Sequence, residues 1–131
     1  MSEEPQQRHW TKASIEFLSS RLALPYEPTM QDWAWTAADA KDLDKYLLLF
    51  SEVIAEPDIR FTLADIIIQA FEDVGGELDR DHRWQMFLSE LERNFEIHAC
   101  QVWYWSAFEN DLNDAWRVSP QMRALYRRAN P

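Results

Sequence analysis

The chain has 131 residues, 47% of them apolar and 14% aromatic, with 7 Trp, 2 Gly, one Cys and a formal net charge of −10. This length suits one domain that buries roughly two-thirds of its unfolded surface, and the apolar content excludes a disordered chain. Two glycines are too few for a hairpin-rich β fold or a phosphate cradle, the lone Cys100 excludes an internal disulfide, and the acidic balance disfavours direct binding to nucleic acid.

The N-terminal stretch MSEEPQQRHW has no apolar core, so no signal peptide is expected there, and residues 1–10 are read as a tail ahead of one helical domain over 11–131. Thr11 can cap a first helix, with Trp10 stapling against Ile15; Ile15, Leu18 and Leu22 share its face. Pro25 and Pro28 end it and make residues 24–31 a loop. In Asp32-Trp33-Ala34-Trp35 the two indoles point to different sides of any regular element, so one is expected in the core. A second helix starts near Asp39, with Asp42 in its first turn and Leu43, Tyr46, Leu47, Phe50 and Ile54 as its apolar stripe.

Pro57 suits the first turn of the next helix, which carries Phe61 and then Leu63, Ile66, Ile67, Ala70 and Phe71 at helical spacing. Gly75-Gly76 is placed to give it a left-handed cap. Glu72 and Asp73 lie at its C-terminus, against the helix dipole, at a cost of a few tenths of a kcal/mol each. Asp81 can cap a further helix with Trp84, Phe87, Leu88 and Leu91 on one face. The 12-residue run Ile97–Phe108 is too short to span a bilayer and long enough for a core helix. Within it, of Trp103, Tyr104 and Trp105, two belong to the core and one reaches the surface. Ser119-Pro120 opens a closing helix with Met122, Leu125 and Tyr126. The expected fold is therefore all-α, a single compact domain of five or six helices, as a bundle or as stacked helical hairpins. A cytoplasmic location is expected, with no membrane partner.

The charge is concentrated. Residues 27–81 hold 14 acids against Lys41, Lys45, Arg60 and Arg80, a net −10, while the flanking stretches are neutral. Such concentration of one sign steers a basic partner, and it equally gives a soluble surface. Candidate chemistry is sparse. His9, His82 and His98 stand without a His or Cys at ligand spacing, and Glu77, Asp79 and Asp81 lack the glycine and terminal Glu of a calcium loop, so no metal and no cofactor are expected. Cys100 is expected as a core residue, and His98, with Gln101, as a hydrogen-bonded structural residue. No nucleophile, phosphate or dinucleotide motif is present, so no catalytic residue is assigned.

Three runs carry a resemblance: Asn94-Phe95-Glu96-Ile97-His98, Trp103-Tyr104-Trp105-Ser106, and Trp116-Arg117-Val118-Ser119-Pro120-Gln121-Met122-Arg123. With Asp32-Trp33 and Phe71-Glu72-Asp73 upstream, they are similar to small bacterial immunity proteins of contact-delivered toxin systems. The resemblance covers residues 32–126 and rests on aromatic and structural motifs. It implies a small non-enzymatic domain that binds one cognate toxin, covering its active site. It also implies that an acidic member meets a toxin with a basic active-site face. On this reading the partner-binding residues are Trp33, Glu72, Asp73, Glu77, Asp79, Asp81, Glu109, Asp111 and Asp114. A helical enzyme using a carboxylate pair and a structural or adaptor subunit stay open as alternatives.

Overall fold

A computed structural model describes residues 4–130 of the chain. Among the described residues it is all-helical, without strands: α1 (Lys12–Arg21), α2 (Trp33–Ala37), α3 (Leu43–Glu52), α4 (Pro57–Asp73), α5 (His82–Arg93), α6 (Phe95–Ser106) and α7 (Ser119–Ala129). That is seven α-helices rather than five or six. The additional one is α2, whose 5 residues are too few to show a 3.6-residue repeat. It forms because Trp33, Ala34 and Ala37, on one side of it, are buried.

The chain divides into two compact units, residues 9–75 and residues from Gly76 onward with the N-terminal segment up to Arg8. In the first, α4 is the centre, packed by α1, α2 and α3. Leu63, Ile66, Ile67, Ala70 and Phe71 are buried as the periodicity predicts, but so are Arg60, Thr62, Ala64, Asp65 and Ile68. A helix with neighbours on several sides is buried almost all round, so a single stripe understates its core. Most of the polar atoms this encloses are matched. Trp10 Nε1 donates to Asp65 at 2.8 Å, the Ser14 and Thr62 hydroxyls lie 2.8 Å apart, and the Arg60 guanidinium sits 3.9 Å over the Phe50 ring.

The termini of these helices follow local rules. Thr11 and Ser14 form a reciprocal capping box on α1. The helix closes on left-handed Ala23, with the Leu24 N–H bonded back to the Ser19 carbonyl at 3.0 Å, before the prolines are reached. Pro57 opens α4 as expected. Its end differs from expectation: Val74 is extended, and the positive φ of 89° falls at Gly76, beyond the cap. On α3, Leu43, Tyr46, Leu49, Phe50 and the following Val53 are buried, whereas Ile54 is 57% exposed. The helix stops at Glu52, so the stripe does not extend to Ile54. Asp39 caps the short 3₁₀ turn before α3 instead of α3 itself.

In the second unit, α6 and α7 form the main pair, with α5 against both. Phe95 meets Tyr126 at 5.6 Å between ring centroids, and the Ser119 hydroxyl donates to the Trp105 carbonyl at 2.7 Å, so the two helices run antiparallel. Trp84, Phe87, Leu88 and Leu91 are buried on α5, as are Met122, Leu125 and Tyr126 on α7. Arg8 does not trail from this unit: its N–H lies 3.3 Å from Cys100 Sγ, and the thiol faces the Arg8 carbonyl at 3.5 Å.

Candidate functional site

The segment between α6 and α7 is the best-defined irregular feature of the second unit. Ser106 ends α6, and Ala107 takes a left-handed conformation with φ of 50°. A Cβ disfavours that conformation, so something must hold it. Arg123 on α7 does so. Its Nε donates to the Ser106 carbonyl at 2.6 Å, and its Nη2 donates to the carbonyls of Ala107 at 2.6 Å and Asn110 at 2.7 Å. These bonds satisfy carbonyls that the helix end leaves open, and a cation suits that end of the dipole. At the far end, the Trp116 N–H donates to Ser119 Oγ at 3.1 Å. The Trp116 ring lies 4.8 Å from Trp105 and 5.2 Å from Tyr104.

Between these anchors Glu109, Asp111 and Asp114 are exposed. No hydrogen bond or ion pair ties their side chains to other described residues. Leu112 is 49% exposed and Tyr104, on the last turn of α6, is 41% exposed. The predicted split of Trp103, Tyr104 and Trp105 is thus resolved as one buried (Trp105), one half-buried (Trp103) and one at the surface (Tyr104).

The other expected acids are arranged differently. Glu72 and Asp73 lie in the first unit and Glu77, Asp79 and Asp81 in the second, because the division falls at Gly75-Gly76. Asp73 is exposed and accepts from Gln69 Nε2 at 3.0 Å. Glu77 pairs with Arg80 at 3.1 Å, both well exposed, so the pair adds little stability. Asp79 accepts from the Gln121 side chain. Asp81 caps α5 through the Arg83 N–H at 3.0 Å and pairs with the Arg83 guanidinium at 2.9 Å. The Arg83 side-chain bond holds the Asp81 carboxyl below the usual aspartate range, against a smaller upward push from burial. A shallow cleft of about 340 Å³ lies here, lined by Glu77, Leu78, Asp79, Arg117, Pro120 and Gln121 together with Gly76.

Trp33 requires a correction. It is fully buried, and its indole N–H donates to the Pro25 carbonyl at 2.7 Å. The 24–31 loop, whose prolines were expected only as breakers, thus supplies the acceptor for this ring. Trp33 is a core residue and offers no surface to a partner. Its neighbour Trp35 is half-buried and meets Trp10 edge-on at 5.3 Å.

His98 and Gln101 are both buried, and His98 Nδ1 faces Gln101 Oε1 one turn along α6. Cys100 is half-buried, not fully in the core. Among the described residues no three His, Cys, Asp or Glu side chains come together to hold a metal ion. Among them, too, no helix is long and apolar enough to cross a membrane. Sequence reasoning missed Arg123 as the clamp, because nothing in its helical position reveals three carbonyls from another element. The chain matches no protein-family profile, no curated protein and no solved structure.

Proposed function

We propose that this protein is an immunity protein, which binds a cognate toxin domain with a basic face and covers its active site. One observation carries the reading: among the described residues Asp65 is the one acidic side chain that is buried. The surface therefore displays essentially the whole excess of acid over base. A field of that sign speeds association with a basic protein and repels nucleic acid and anionic lipid. The proposed contact residues are Glu72, Asp73, Glu77, Asp79, Asp81, Glu109, Asp111 and Asp114, with Asp81 the least available because it caps α5. The absence of catalysis belongs to the proposal; the sealed placement of His98 and Gln101 favours it over a helical enzyme, since no substrate reaches them without opening α6.

The test is co-expression with the C-terminal domain encoded by the neighbouring open reading frame. Rescue of cells from a lethal domain, with a copurifying complex, is the expected result. Toxicity that persists despite soluble expression of this protein, or a harmless neighbour, would count against immunity and bring the adaptor reading forward.

A further inference from the structure

We draw no further inference here: the strongest candidate, the solvent side of α3 with the turn after it, where Leu48 and Ile54 are exposed in an acid-rich stretch, carries nothing because nothing in the structure shows what covers it.

Discussion

Replacing Arg123 by Met keeps the length of the side chain and removes the clamp on the α6 terminus. Two of its bonds, to the Ser106 and Ala107 carbonyls at 2.6 Å, are part-buried, and the third, to Asn110, is exposed. Hydrogen bonds from a charged donor contribute about 1.5–3 kcal/mol each. The freed carbonyls lie near the surface and regain water, so the low end applies to the two part-buried bonds and little is assigned to the third. The expected loss is about 3 kcal/mol. With a urea dependence of about 1.5 kcal/mol per molar, the unfolding midpoint should fall by about 2 M. Tryptophan fluorescence is a suitable probe, because Trp105, next to Ser106, meets Trp116 at 4.8 Å between ring centroids. Hydrogen exchange should quicken at the Asn110 amide, which donates to the Ala107 carbonyl at 3.0 Å. Arg123→Lys should recover only part of the loss, since a compact ammonium cannot span carbonyls on both sides of Ala107. A midpoint for Arg123→Met within about 0.5 M of wild type would refute the clamp.

Asp81→Ala should destabilise by about 1 kcal/mol at pH 7, through the lost cap and Arg83 bond. Because the folded carboxyl titrates below its unfolded value, that contribution is present above the unfolded value and is lost as pH falls through the folded one; the two proteins should converge in acid urea titrations. Tyr46→Phe removes the acceptor of the Asp39 N–H at 3.1 Å and should cost about 1 kcal/mol at neutral pH. Burial raises the Tyr46 phenol, with the Asp39 N–H pulling it down and the Asp42 and Asp39 carboxylates adding to the rise. Stability from keeping it neutral is full below the unfolded tyrosine value and declines as pH rises toward the folded one, so the gap to Tyr46→Phe should narrow above about pH 10. Ile67→Ala, at the centre of α4, should cost about 2–5 kcal/mol, whereas Leu48→Ala, 64% exposed on α3, should stay within about 0.5 kcal/mol; calorimetry of the pair tests the placement of the core.

Helix existence was legible wherever an apolar repeat ran for three turns or more. Leu63 to Phe71 and Trp84 to Leu91 announce their helices through spacing alone, since only a helix brings positions three and four apart to one face. Some caps were legible for the same local reason, since Thr11, Pro57 and Asp81 act within a few residues of chain, whereas the caps expected from Asp39 and Gly75-Gly76 fall elsewhere. The uneven charge is likewise a property of the sequence alone. Tertiary structure decided what each exposed or buried residue is for. Trp33 and Tyr104 are both aromatic, yet one is buried with its indole N–H bonded to the Pro25 carbonyl and the other faces solvent. Asp81 and Asp111 look alike in sequence, but one is bound to α5 and its arginine while the other stands unengaged on a clamped loop. Spacing along the chain encodes periodicity and local hydrogen bonds; it does not encode which distant element supplies the covering atoms. That is why α4, Asp81 and the acidity were readable from the sequence, whereas the Arg123 clamp and the burial of Trp33 emerged only when α7 was packed against α6 and the chain before α2 was folded back towards it.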